Sequence, residues 1–220
     1  MRWLSWCCIP LPGARLSASR GNSALISSID QTSPSDNGKV DIGSTITAPV
    51  VHTTSVAVVP PDEAWPKIQA VRSLVRDKGL WRWPPHVNLL YPFVIVERFD
   101  EAAALLADRL AEVEPFTVTL HELKIFAHKR SATLWFAPET LAFDGEGIAP
   151  FQRLQAALQS AMPNCDAQTA NHGGKFTPHL TVGHFPDEES ASEARAMILE
   201  SDICKCSILC PSSRTLSDLQ

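Results

Sequence analysis

The chain predicts an α+β fold. Three observations carry this: short runs of β-branched and aliphatic residues read as strands, segments with apolar residues every three to four positions read as helices, and the second half repeats the plan of the first. Residues 53–59 form the first strand. Pro60-Pro61-Asp62 then opens a helix, along which Trp65, Ile68, Val71 and Val75 make one apolar stripe. A strand around His86 follows, and after it a helix over residues 100–114 with Ala103, Leu106, Leu110 and Val113 on one side and Pro115 as its stop. Residues 116–126 and 132–136 suggest an antiparallel hairpin across His128-Lys129-Arg130-Ser131. In the second half Ile148, Phe151, Leu154 and Leu158 give a helical stripe ending near Pro163. A loop with Gly173-Gly174 leads to a strand around His179, and residues 187–200 form a helix whose acidic first turn suits the helix dipole. Residues 203–210 make a short final strand.

Length and composition bound the organisation. At 220 residues and 45% hydrophobic content the chain can bury one proper core. Residues 1–50 are rich in Ser, Pro, Gly and Thr without periodicity, so they read as a disordered extension or as a transit peptide, Arg2, Arg15 and Arg20 all preceding the first acid, Asp30. The apolar patch at residues 3–11 is broken by Pro10 and is too short to cross a membrane. Residues 51–210 form the folded domain, and 211–220 an unpatterned tail. Cys7 and Cys8, the lone Cys165, and Cys204, Cys206 and Cys210 form neither a disulfide framework nor a closed metal set. The expectation is a monomer in a reducing compartment, cytoplasmic with mitochondrial as the alternative, without a membrane partner and without a cofactor.

The net charge of −5 argues against a protein that coats nucleic acid, whereas a small nucleotide or an RNA end needs only a local positive patch. Lys124, Lys129, Arg130 and Lys175 are candidates for it, against the bland alternative of solvated loop cations. Two distant segments read as halves of one site: Pro85-His86-Val87-Asn88-Leu89 and Pro178-His179-Leu180-Thr181-Val182. In an extended strand residues i and i+2 share a face, so His86 points with Asn88 and His179 with Thr181. Two imidazoles can divide the work of a base and an acid, as phosphodiester cleavage requires, with polar groups steadying the phosphate. By strand parity His184, five residues after His179, points to the opposite face. His121 and His128, seven apart, also diverge, and His172 sits by the Gly-Gly turn; no zinc site is expected from these four. Trp81 and Trp83, on the approach to His86, are read as packing groups before base-stacking ones.

With their flanks, Leu90-Tyr91-Pro92-Phe93 after the first motif and Phe176-Thr177 before the second, these segments resemble the paired H-x-[S/T]-x signatures of the two-histidine (2H) phosphoesterase superfamily. Within it, the segments look most like the 2′-5′ RNA ligase-like or cyclic phosphodiesterase group. The resemblance spans roughly residues 53–201. It implies a bilobal fold of two pseudo-symmetric, antiparallel-rich sheets facing a central groove, with helices outside. It also implies metal-independent chemistry on a 2′,3′-cyclic phosphate or a 2′-5′ phosphodiester. His86 and His179 would be catalytic, Asn88 and Thr181 would bind the phosphate, and Tyr91 and Lys175 are candidate substrate contacts. Asn88 stands where the family carries a hydroxyl; its amide can still donate to a phosphate oxygen. The alternative is a non-catalytic RNA-end or nucleotide-binding module of the same fold.

Overall fold

The computed structural model describes residues 49–111, 113–114, 116–140, 149–201 and 208–210. The N-terminal extension up to residue 48, Ile148, Pro115, residues 202–207, the tail from 211 and four of the cysteines (Cys7, Cys8, Cys204 and Cys206) lie outside the described residues.

A short strand β1 (Val50–Val51) precedes the expected first strand, which is shortened to β2 (Val56–Val58). A 3-10 turn over Asp62–Ala64 leads into α1 (Trp65–Val75), with Pro66 in its first turn, where a missing N–H removes no helical bond. Arg76, at φ 55°, ends the helix in the left-handed conformation while its N–H donates to the Arg72 carbonyl. Then come α2 (Gly79–Arg82), β3 (Val87–Leu90), β4 (Phe93–Val94) and α3 (Phe99–Leu110). The expected helix to residue 114 stops at Leu110 because the next turn tightens, the Val113 N–H bonding the Leu110 carbonyl.

The hairpin is longer than its apolar run suggested: β5 (Val118–His128) and β6 (Ser131–Thr140) meet at a two-residue turn, Lys129-Arg130. β6 is buried on both of its faces from Ala132 to Pro138, so its sequence lacks a clean alternation. The chain continues through α4 (Pro150–Ala161), α5 (Ala167–Ala170), β7 (Leu180–Phe185), α6 (Glu188–Glu200) and β8 (Ile208–Cys210). Asp187 caps α6, its Oδ1 accepting from the Ser190 N–H at 2.8 Å.

Among the described residues the strands are not divided between two facing sheets. β1 and β4 make a two-stranded ribbon, and the other six make one antiparallel sheet in the order β2-β3-β7-β6-β5-β8. The strands after the two motif histidines, β3 and β7, are therefore hydrogen-bonded neighbours, with Val87 opposite Leu180. Pairing them satisfies facing backbone groups that a groove between sheets would leave to water.

One face of this sheet carries the core. α4 lies against β3 and α3, α1 against β7, and α6 against β5, β6 and β7. Leu89, Leu90, Phe93, Leu106, Phe136, Phe151, Leu158 and Leu180 are fully buried there. Each such side chain contributes about 2 kcal/mol of transfer free energy. Cys165 sits in this interior with its thiol pushed up to about 11 by burial, Asp166 adding to the shift, which makes it a packing group and no nucleophile.

Candidate active site

The opposite face of the sheet is polar where β3, β7, β6 and β5 run side by side. With Val87 opposite Leu180, continuing the antiparallel register one residue either way sets His86 opposite Thr181 and Asn88 opposite His179. All four side chains face one pocket. They line a pocket of about 390 Å³, together with Tyr91, Trp83 and residues from β5 and β6.

The two histidines are held alike. Each Nδ1 lies on the carbonyl oxygen two residues upstream: His86 on Pro84 at 2.8 Å, and His179 on Thr177 at 2.9 Å. A carbonyl can only accept, so each Nδ1 carries the hydrogen and each Nε2 is left for other work. In both cases the intervening residue is a proline, whose ring fixes φ and so the position of that carbonyl. Burial lowers the pKa of both rings below the ordinary histidine value, against the carbonyl bonds, which raise it. For His86, Arg72 and then His179 add to the lowering; for His179, His172 does. The neutral form of each ring is thereby favoured.

Thr181 lies on the pocket wall opposite His86. Asn88 Oδ1 is buried without a hydrogen-bond partner. Tyr91 lines the same pocket, its hydroxyl donating to the His52 carbonyl at 3.4 Å. Lys175 is elsewhere, on a second depression beside α4 and α5. Lys124 pairs with Glu122 at 2.9 Å, and neither it nor Lys129 nor Arg130 lines the pocket. Trp83 lies 6.4 Å from the His86 ring, whereas Trp81 is 76% exposed on α2 and packs no core.

Strand parity misplaced His184, and the pocket takes in two further histidines, His128 and His172. Trp135 pairs with Thr181 but Leu134 with Gly183, so Val182 is an extra residue without a partner on β6. That bulge uses up one residue and brings His184 back to the face of Thr181. His184 lines the pocket, as do His128, 3.4 Å from Thr133 Oγ1, and His172, on the loop after α5. The Ala167 N–H bonded to the Tyr91 carbonyl ties α5 to the end of β3 and brings that loop to the site. Of these four histidines His121 stays outside, at a second register break, paired with Glu139 at 3.2 Å. Among the described residues no group of three or more His, Cys, Asp or Glu side chains is arranged to hold a metal ion.

The sequence model of the 2′-5′ RNA ligase superfamily matches residues 60–208, about two thirds of the chain, and takes in both histidine motifs. The chain belongs to the 2′-5′ RNA ligase superfamily. That family lies within the two-histidine (2H) phosphoesterase superfamily. No curated protein and no solved structure matches it.

The pocket is also lined by residues that the motifs do not contain. Arg72 is 4% exposed and lines the pocket from α1. Its Nη1 donates to the Trp83 carbonyl and to Gln69 Oε1, its Nη2 to the Gly79 carbonyl, and its Nε has no partner. Burial lowers its pKa while Asp77 opposes the shift. A signal for it existed: one turn after Ile68, Arg72 interrupts the apolar stripe with a cation. Asp77 accepts from the Gly79 N–H at 2.9 Å and from His184 Nδ1 at 3.1 Å; burial works against its ionisation, but these bonds prevail and hold its carboxyl below the usual range. Phe126 stacks on Trp135 at 4.3 Å and meets the His179 ring edge to face at 5.3 Å. Nothing in the sequence marked Asp77 or Phe126, because both reach the site through tertiary packing. Among the described residues no helix is long and apolar enough to cross a membrane.

Proposed function

We propose that this protein is a phosphodiesterase that cleaves a 2′,3′-cyclic phosphate or a 2′-5′ phosphodiester of RNA or a nucleotide, with His86 and His179 as its acid–base pair. The observation that carries this reading is the matched hydrogen bonding of the two rings, each Nδ1 on a carbonyl two residues back, within one pocket. A ring so anchored offers Nε2 as a base when neutral and Nε2–H as an acid when charged. In hydrolysis one Nε2 takes a proton from water, the water oxygen bonds to phosphorus, the bond from phosphorus to the ribose oxygen breaks, and the other ring's Nε2–H protonates that oxygen. Thr181 and the Asn88 amide donate to the phosphate oxygens, whose negative charge favours protonating one of the rings. A pocket of about 390 Å³ suits one nucleotide unit.

The test is turnover of a nucleoside 2′,3′-cyclic phosphate and of a 2′-5′ dinucleotide, in wild type and in His86→Ala and His179→Ala. Each variant loses about 10²- to 10⁴-fold in kcat/KM while keeping its melting temperature. Near wild-type turnover by either variant would sink the reading. A second reading, a nucleotide-binding module without turnover, is favoured by the orphaned Asn88 Oδ1 in place of a hydroxyl. Thermal stabilisation by the nucleotides without any product singles it out.

A further inference from the structure

His86 and His179 are anchored alike, but their electrostatic surroundings are not equivalent. Arg72 is the single lysine or arginine lining the pocket among the described residues. Its guanidinium bonds the Trp83 carbonyl at 3.1 Å, three residues before His86, and the Gly79 carbonyl at 2.9 Å. It thus clamps the segment whose Pro84 carbonyl orients the His86 ring. Among the described residues no lysine or arginine lines the pocket beside His179, whose neighbours are the Phe126 and Trp135 rings, at 5.3 and 6.0 Å, and the His172 side chain.

We propose that Arg72 is a positioning residue that sets the direction of proton flow, keeping His86 as the neutral base and leaving His179 to be the acid. This rests on the two-histidine reading and adds a polarity that the two symmetric motifs do not carry. A permanent buried cation penalises a second positive charge beside it, and the penalty falls on His86. Once His179 is protonated by substrate binding, its charge pushes on His86 in the same direction, as does Arg72. Asp77, the nearest opposite charge, is engaged by Gly79 and His184. His128, at the far end of β5, His172 and Tyr91 are the remaining titratable groups lining the pocket among the described residues, and the two histidines lie around Phe126 on the His179 side. In this assignment His86 Nε2 removes the proton from the attacking oxygen and His179 Nε2–H delivers one to the departing ribose oxygen. The rings finish in exchanged protonation states, and proton exchange with solvent resets them.

The experiment separates acid from base by the leaving group. A ribonucleoside 2′-(p-nitrophenyl phosphate) expels a phenolate that needs no proton at neutral pH, whereas a 2′-5′ dinucleotide expels an alkoxide that does. On the dinucleotide both His86→Ala and His179→Ala are impaired; on the nitrophenyl ester His179→Ala returns to within about tenfold of wild type and His86→Ala stays about 10²- to 10⁴-fold down. The reverse pattern, or equal behaviour of the two variants, overturns the polarity. Absence of wild-type turnover on both esters overturns the two-histidine reading itself. The part played by Arg72 is read from the pH profile of kcat/KM. Arg72→Met moves the acid limb upward, because removing the cation lets His86 protonate more readily, and Arg72→Lys holds the limb near its wild-type position. A merely structural arginine would lower the whole profile in Arg72→Met without moving that limb, and an unmoved limb overturns the proposal. Should Arg72→Met not fold, titration of the ring protons in the wild-type protein decides: His86 titrates below His179, and the opposite order overturns it.

Discussion

At the scale of single residues, Asn88 shows a conflict between stability and use. A buried acceptor without a donor costs about 1–3 kcal/mol, and Asn88 Oδ1 is such a group in the free protein. Asn88→Ala is therefore expected to keep or raise the melting temperature while weakening phosphate binding by about 1.5–3 kcal/mol, the value of a hydrogen bond to a charged group. Calorimetric binding of a nucleoside monophosphate, beside thermal denaturation, checks both signs together. Asn88→Thr replaces the orphaned amide with a hydroxyl that can both donate and accept, and it is expected to raise kcat/KM on a cyclic phosphate. Unchanged binding and kinetics in both variants would take Asn88 out of the site.

At the scale of elements, the contact between β7 and the loop after α1 has no slack. A Cβ on Gly183 would stand 2.6 Å from Val75 Cγ1 and 3.2 Å from Asp77 Cβ. The missing side chain lets α1 and its loop close onto β7 next to the bulge, which is where Asp77 meets His184. Gly183→Ala is expected to destabilise the fold by about 1–3 kcal/mol through overpacking. It also moves the Asp77–His184 pair apart, so the chemical shifts of the His184 ring change together with the urea midpoint. A fully stable Gly183→Ala variant with unaltered His184 resonances would show that the loop yields freely. The bulge has a general lesson for reading strands: alternation holds only while the ladder is regular, and one extra residue at Val182 moved His184 from the wrong face to the right one.

At the scale of the whole molecule, the two lowered histidines couple folding to pH. Their folded pKa values lie below the ordinary 6.5 that the unfolded chain retains, so between those values the unfolded state binds more protons. Stability is therefore full above about pH 6.5 and falls as the solution is acidified toward the folded values. Urea denaturation at pH 7.5 and pH 5.5 should show a loss that the double variant His86→Gln, His179→Gln largely abolishes. Inorganic phosphate should lessen the loss in wild type, because an anion in the pocket favours the charged rings. If wild type and double variant decline in parallel, other groups carry the pH dependence. The acid–base pair needs no metal for its two proton transfers, so cleavage is expected to continue in excess chelator; loss on chelation with recovery on adding a divalent cation would contradict it.

What the sequence by itself determined is whatever short-range pattern encodes. The α+β alternation, the stripe of Ile68, Val71 and Val75, the hairpin about Lys129-Arg130 and the two proline-histidine motifs all follow from local spacing, and the family match spans the same motifs. The i, i+2 rule correctly put His86 with Asn88 and His179 with Thr181 on one face. The tertiary structure decided which strands pair and where a ladder breaks, because both depend on partners distant in the chain. That is why β3 and β7 are neighbours in one sheet and not opposed in two, and why His128, His172 and His184 enter the pocket while Lys175 does not. Arg72 belongs to both levels. Its place in an apolar helical stripe was legible as an oddity, but its meaning came only when folding brought the Gly79 and Trp83 carbonyls around it, since a buried guanidinium must find its acceptors from wherever the chain supplies them.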